Sequence, residues 1–559
     1  MYISSHGSKA QFGGSSLTCA GSPPQSRERL LLAGTVVLAA LAFVVATRHM
    51  SHSLWFDESQ TVVVASQSTV SDVATVAMQL RGYPPLFFMV VRHSLHYRSD
   101  EAGLRLPAAF FGALSIIAVF LLGKALADGF TGLLAAFLFV LTPGVFRYFV
   151  DGNAYTLLIL EVTLSNLFLV RAIRSDKIAD WLGYALFALL GLASHTIFVL
   201  YFVAQVLAAL YSRAFARPPA RAPYRRFLAV VAVLCLIEIL WVVFYFHHGG
   251  DRRPFQLSRL PEISTLLVTA GMYAGPLSFG SPIQLAFWVP LQLLGGIAMF
   301  VQRRKVFWFI AIFATLSLAA ITLFFRATLS YVAYKYGLGV FPLACILAAY
   351  SLRLPGAGAR GLKLSWPLAA KVCGITLIAS YCIAGAAFLA TADARAFEYQ
   401  DWKGTAQYLR NHATGSDLIA LSGRYGVPCL SYYYNGPARF VSVREQHPDD
   451  LVSGLLAGPG PPDRAVWIVL LSLANENPVV ARYTEFKKYD LEAQTETTIA
   501  GLRKRGLFAC HAARFHRVNV IFVSRGLGQG ALPSRAGGCA GMVLQPAGRG
   551  LEPPPGSQH

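Results

Sequence analysis

Asp57 and Glu58 form an acidic pair directly after the aromatic run Leu54-Trp55-Phe56. Carboxylates beside aromatics at a lipid boundary suit ionic or proton-transfer chemistry at a membrane surface. The plainer alternative is a solvated loop held by interfacial Trp and Phe anchors. Further polar landmarks follow at Tyr83-Pro84-Pro85-Leu86, Asp151-Gly152-Asn153, Ser194-His195-Thr196 and Lys335-Tyr336. His195 could ligate a metal or contact a substrate; its plainer alternative is a hydrogen-bonded hairpin histidine. Arg252, Arg253, Arg259, Arg326 and Lys335 are cations suited to an anion, with lipid-phosphate snorkelling as the alternative for Arg259 and Arg326. These residues make a site only if the elements that carry them bring them to one face.

Those elements are mostly apolar. The chain has 559 residues, 55% hydrophobic and only 14% charged, more apolar than a soluble core of this size requires. Runs such as Leu30 to Ala46, Phe227 to Phe246 and Val306 to Phe325 approach the roughly 20 residues needed to cross a bilayer. The net charge of +20 does not point to nucleic acid, because Arg and Lys cluster in short segments between apolar runs, as the positive-inside rule requires. The scattered cysteines lack CxxC spacing and read as buried hydrophobes in the spans, with a Cys429–Cys510 disulfide left open. A polar stretch precedes Leu30 and no small-residue cleavage site follows the apolar run, so that run is expected to stay as the first span.

Topology turns on Pro84 to Tyr97, which is short for a span and contains Arg92, His93 and His96. It reads as an amphipathic helix at the interface. Leu106 to Ala125, Phe130 to Phe146 and Gly152 to Val170 then become the second to fourth spans, and Asp151 falls on the same side as Asp57. Two short spans between the basic loops at Arg171 and Arg213 place His195 at an outer hairpin. Phe227 to Phe246, Ile283 to Phe300, Val306 to Phe325, Tyr336 to Ser351 and Pro367 to Ala390 complete eleven spans.

After the last span hydropathy falls, and short apolar strands (Asp417 to Leu421, Ala465 to Leu471) alternate with a helical pattern at Asp401 to Asn411 and an unassigned Tyr432 to Tyr434. This reads as a small α/β domain. The expected layout is a disordered cytoplasmic tail over 1–28, a membrane catalytic domain over 29–391, an extracytoplasmic soluble domain over 392–525 and a disordered tail over 526–559.

The order of these motifs, together with Arg105-Leu106-Pro107-Ala108 and Asp401-Trp402-Lys403-Gly404, resembles the GT-C membrane glycosyltransferases. The resemblance is to the bacterial branch of the protein O-mannosyltransferase and lipid A aminoarabinose transferase group. It implies an α-helical polytopic fold with interfacial helices in the first outer loop and a C-terminal extracytoplasmic α/β domain. It also implies transfer of a sugar from a polyprenyl-phosphate carrier to an envelope glycan, lipid or protein on the outer face of the plasma membrane. On that reading Asp57 is the base, and Lys335, Arg252 and Arg253 neutralise the leaving phosphate. Glu58, Asp151 and His195 contact acceptor or share Mg²⁺ or Mn²⁺, and Tyr83, Pro84, Pro85 and Tyr336 line the substrate loop. Two departures stand out: Tyr83 occupies a position that is His or charged in many relatives, and Asp151-Gly152-Asn153 lacks the family's basic companion.

A transporter or flippase is the rival from another class, although transporters often show internal repeats and broken midplane helices. Polar residues gathered at one face and a one-sided soluble domain favour an enzyme. A glycolipid-binding scaffold without activity is the remaining alternative.

Overall fold

The computed structural model describes residues 25–214, 221–248, 282–328, 334–353, 366–392, 399–422, 426–443, 465–471 and 491–524. Helix α1 (Gln25–Arg48) leads into a loop of three short helices: α2 (Phe56–Ala65), α3 (Val70–Arg81) and α4 (Leu86–Tyr97). The Thr69 hydroxyl caps α3 by accepting from the Asp72 N–H, and Gly82, at φ 66°, ends it. The segment expected to lie at the interface is α4; α2 and α3 are further helices of the loop for which the resemblance implied interfacial helices, at positions the residues alone did not mark.

The bundle continues with α5 (Glu101–Leu126), α6 (Gly129–Val140), α7 (Pro143–Phe146), α8 (Tyr155–Ser175), α9 (Ile178–Ser194) and α10 (Phe198–Ala214). It is completed by α11 (Arg221–His248), α12 (Pro282–Gln302), α13 (Arg304–Thr328), a 3-10 turn (Tyr334–Val340), α14 (Phe341–Ala349) and α15 (Trp366–Thr391). Among the described residues, seven helical segments are long and apolar enough to cross a membrane, or eight if the bent pair Gly129–Val140 and Pro143–Val150 is one span. Three shorter apolar helices, Ile178–Ser194, Phe198–Tyr211 and Ala286–Gln302, coincide with the remaining segments read as spans from the sequence. Large apolar side chains such as Leu236, Ile239 and Leu240 on α11, and Ile375 and Ile383 on α15, are exposed, as a lipid-facing surface requires.

Two local features place the site. The bent pair turns by 71° at Leu141-Thr142; Pro143 has no N–H for the helical ladder, and the residue before a proline avoids helical geometry. Thr142 fills part of the gap by donating to the Leu138 carbonyl at 2.7 Å. The turn is followed by a 3-10 segment, Arg147–Val150, that delivers Asp151. Helices α5 and α6 meet backbone to backbone, since a Cβ on Gly123 would lie 2.6 Å from the Gly132 Cα.

The C-terminal part is a five-stranded mixed sheet in the order β2-β1-β3-β5-β4. The strands are β1 (Leu418–Ser422), β2 (Arg439–Val443), β3 (Ala465–Leu471), β4 (Phe508–Phe515) and β5 (Val518–Ser524). β1 runs parallel to β2 and β3, while β5 is antiparallel to β3 and β4. Helices α16 (Trp402–His412), α17 (Gly426–Tyr433) and α18 (Leu491–Lys504) accompany it. All residues of β3 and β5 are buried, so both sheet faces carry a core. Tyr432 and Tyr433, left unassigned from the sequence, end α17. Cys429 keeps its thiol, which donates to Ser59 Oγ at 3.4 Å, whereas Cys510 is disulfide-bonded, so the two do not pair.

Candidate active site at one end of the helix bundle

Asp57 sits in the first turn of α2, where a carboxylate complements the helix dipole. Both of its oxygens carry a cation. Arg81, at the end of α3, reaches Oδ1 at 3.0 Å, and Lys335, in the 3-10 turn before α14, reaches Oδ2 at 2.8 Å. Burial opposes the charge on Asp57, but Lys335 and Arg81 more than offset it and hold the carboxyl down, at about 2. Arg81 also donates to the Asp57 carbonyl, to Gln60 Oε1 at 2.8 Å and to Asn153 Oδ1 at 3.1 Å. The basic companion absent from the 151–153 motif is thus supplied by α3.

Aromatic rings wall the pair. The Lys335 ammonium lies 5.2 Å from the Trp55 ring, 5.3 Å from Tyr155 and 5.5 Å from Tyr336, all within cation–π range. Tyr83 packs on His195 with centroids 4.3 Å apart, and His195 also faces Tyr155 and Tyr336. His195 Nδ1 accepts from the Ile197 N–H at 3.1 Å, so the ring proton belongs on Nε2. Burial, then Arg81 and Lys335, push the imidazole down to about 3, which keeps it neutral. Among the described residues its Nε2 has no hydrogen-bond partner.

Glu58 behaves differently from its neighbour. Arg105 Nε meets Oε1 and Arg105 Nη2 meets Oε2, both at 2.6 Å, and the Gly152 N–H donates to Oε1 at 2.8 Å. Arg105 in turn donates to the carbonyls of Met50, His52 and Ser53. One guanidinium therefore fixes the chain on both sides of Trp55. Asp151 accepts from Trp55 Nε1 at 3.2 Å and from the Asn153 amide, and its Oδ2 is buried with no hydrogen-bond partner among the described residues. Burial and then the neighbouring Glu58 charge raise its carboxyl well above the usual range.

The soluble domain docks on the same loop. Leu54 N–H donates to the Tyr433 hydroxyl at 2.8 Å, Lys403 N–H to Ser53 Oγ at 3.1 Å, and the Lys403 ammonium pairs with Glu101 at 2.7 Å. Phe56 packs against the domain's core. Tyr399 stacks on Trp55 with centroids 4.1 Å apart and takes the Arg147 guanidinium on its ring.

Asp57, Glu58, Asp151, His195, Lys335, Tyr83 and Tyr336, which lie far apart in sequence, are therefore gathered at one end of the bundle. Pro84 and Pro85 form the connection from α3 to α4. Arg252, Arg253 and Arg259 lie outside the described residues, as does the Arg326 side chain. Arg81 went unselected in the sequence, and Arg105 stood out only as part of the motif Arg105-Leu106-Pro107-Ala108. An arginine inside an apolar helix is a signal of a buried partner that could have marked Arg105; Arg81, on a polar helix end, carries no such mark.

The carboxylates do not fit a shared divalent cation. Asp57 and Glu58 have each oxygen committed to a guanidinium or ammonium, and Asp151 Oδ1 is taken by Trp55 and Asn153. No group of three or more His, Cys, Asp or Glu side chains converges as a metal cage among the described residues.

Residues 83–241 match the sequence model of the family described as dolichyl-phosphate-mannose-protein mannosyltransferase. ArnT from Cupriavidus metallidurans in the apo state superposes with a TM-score of 0.54 at 15% identity, covering 88% of this chain and 98% of that one. The same protein bound to undecaprenyl phosphate gives 0.52 at 13% identity, covering 89% and 98%. The chain resembles the GT-C membrane glycosyltransferases. A comparison with curated protein sequences gave no match. The GT-C likeness spans both the helix bundle and the sheet domain, and the family match spans α4 to α11 and their connections, including Asp151 and His195.

Proposed function

We propose that this GT-C-like chain is a glycosyltransferase that moves a sugar from a polyprenyl-phosphate donor to a hydroxyl acceptor at the outer face of the plasma membrane. One observation carries the reading: Asp57 lies 2.8 Å from Lys335 and 3.0 Å from Arg81, inside an aromatic wall at the end of the bundle where the soluble domain docks. A carboxylate beside cations is what an attack on a phosphate-linked sugar needs. The acceptor oxygen bonds to the anomeric carbon, its proton passes to Asp57, and the carbon–oxygen bond to phosphate breaks with its electron pair leaving on the phosphate. Positioned proton removal contributes on the order of 10²- to 10⁴-fold, and Lys335 stabilises the departing anion. A single displacement inverts the anomeric centre. Aromatic faces at Trp55, Tyr83, Tyr155 and Tyr336 suit the apolar face of a sugar ring.

The ArnT structure bound to undecaprenyl phosphate supports a polyprenyl-phosphate donor. A disulfide at Cys510 fits a soluble domain on the oxidising side, and with it the eleven-span topology. The chain's own residues do the chemistry without a divalent cation in this reading.

The test is transfer from labelled polyprenyl-phosphate sugars by the purified parent and Asp57→Asn proteins. Loss of transfer with retained folding supports the base role; undiminished transfer removes it. A flippase reading draws on the buried polar contacts Glu161–Ser194 and Gln205–Ser165 inside the bundle. It requires lipid movement in vesicles that survives Asp57→Asn and fails in Glu161→Gln.

A further inference from the structure

A carboxylate with a cation on each oxygen is a poor base, because protonating it means breaking an ion pair. Asp57 is in that state, and the arrangement around it says what relieves it. Arg81 and Lys335 contribute two positive charges against one carboxylate. Of the two other carboxyls close by, Glu58 is neutralised by Arg105, and Asp151 is buried with one oxygen unpartnered among the described residues. The ring of Tyr83, Tyr155, Tyr336 and neutral His195 adds no charge. Counting Arg81, Lys335 and Asp57 alone, the cluster holds one positive charge in excess, which matches the single negative charge of a phosphodiester.

We propose that the phosphate of the donor and the carboxylate of Asp57 compete for Arg81 and Lys335, so that donor binding is the event that frees Asp57 to act on the acceptor. This rests on the reading of Asp57 as the base and adds Arg81 as a phosphate ligand. The guanidinium fork of Arg81 suits two phosphate oxygens at once. Its Nη1, which meets Asp57 Oδ1, also donates to Gln60 Oε1, and its Nη2 donates to Asn153 Oδ1, so these two neutral partners keep the guanidinium at the pocket when Oδ1 is exchanged for a phosphate oxygen. The ammonium of Lys335, on a flexible stem, has only to swing within its aromatic wall. Once both have moved, Asp57 keeps its place through α2, which Glu58 and Arg105 anchor one residue away. The order of events follows: donor first, acceptor second, and a base that stays inactive while no sugar is present to be attacked by water. After transfer the polyprenyl monophosphate carries more negative charge than the diester and holds the cations more tightly, so product release resets the carboxylate.

The full-length protein in detergent, titrated with a polyprenyl monophosphate, tests the competition. Removing the competitor in Asp57→Asn and in Asp57→Ala is expected to tighten binding by about tenfold or more, while Arg81→Gln and Lys335→Gln weaken it by a similar factor. The two Asp57 variants guard against one of them failing to fold. Inorganic phosphate showing the same ranking assigns the effect to the phosphate group, and phosphatidylglycerol binding all variants alike excludes a bulk lipid effect. Equal or weaker binding by folded Asp57 variants overturns the competition. The outcomes also separate the two claims. Loss of transfer in Asp57→Asn with unchanged phosphate binding defeats the competition and leaves the base, whereas tighter binding with full transfer defeats the base and leaves the competition.

Discussion

Arg105 grips both carboxylate oxygens of Glu58 at 2.6 Å, with neither side chain exposed to solvent. Asp57, the residue before, is held by two cations from separate elements at a partly exposed position. Adjacent carboxylates thus have different duties: Glu58 fixes the loop and Asp57 faces the pocket. Removing one member of a buried ion pair leaves the other charge stranded, at a cost of about 3–5 kcal/mol. Glu58→Ala is therefore expected to lower the thermal unfolding midpoint in detergent far more than Asp57→Ala does. A Glu58→Ala protein that melts with the parent would show that the clamp does not hold the fold.

Asp151 makes a pH-dependent contribution of the opposite kind. Its folded-state carboxyl is raised by burial and then by Glu58, so its ionisation costs stability as pH climbs from about the ordinary carboxylate value through the raised one. Asp151→Asn mimics the protonated form. The variant is expected to match the parent near pH 4 and to exceed it in unfolding temperature by a growing margin toward pH 8. A constant margin across that range would mean that Asp151 is not held protonated by its surroundings.

The apolar helices and their order were legible because apolar length is a local property of the chain. The convergence of Asp57, Asp151 and His195 was legible from topology: an interfacial Pro84 to Tyr97 puts Asp151 on the side of Asp57, and an even number of crossings between the basic loops at Arg171 and Arg213 puts His195 there. Arg81 was not, because its partners Asp57 and Asn153 are distant in sequence and its own segment is an ordinary polar helix. In the soluble domain β1 and β3 stood out as apolar runs. β4, Phe508–Phe515, did not, since His511 and Arg514 interrupt it and a register shift between His511 and Ala513 breaks its alternation.

The docking of the soluble domain on the acidic loop gives a third expectation. The Tyr433 hydroxyl accepts from the Leu54 N–H at 2.8 Å, three residues before Asp57. Tyr433→Phe leaves that donor without its partner, at a cost of about 1–3 kcal/mol. Cleavage of the loop by a protease is expected to accelerate, and transfer to fall, while phosphate binding at Arg81 and Lys335 stays near the parent value. If loop protection is unchanged, the domain does not order the loop through this contact.

The ion pairs on Asp57 predict where acid acts. The folded-state carboxyl lies at about 2 against an ordinary value of 3.8, a shift that corresponds to about 2 kcal/mol. A depressed carboxyl stabilises the fold at every pH above its unfolded value and loses that contribution only as pH falls toward the folded one. The difference in unfolding free energy between parent and Asp57→Asn is therefore expected to stay flat from pH 8 to about pH 5 and to shrink below pH 4. Asp151 titrates at higher pH, within the range expected to be flat, and feels the Asp57 charge, so the comparison belongs in an Asp151→Asn background, where that coupling is gone. A saturating polyprenyl phosphate should move the shrinkage to higher pH, because a carboxylate that has lost Arg81 and Lys335 to the phosphate protonates more easily. An acid limb that stays in place when the phosphate is added would show that the two cations remain on Asp57 throughout.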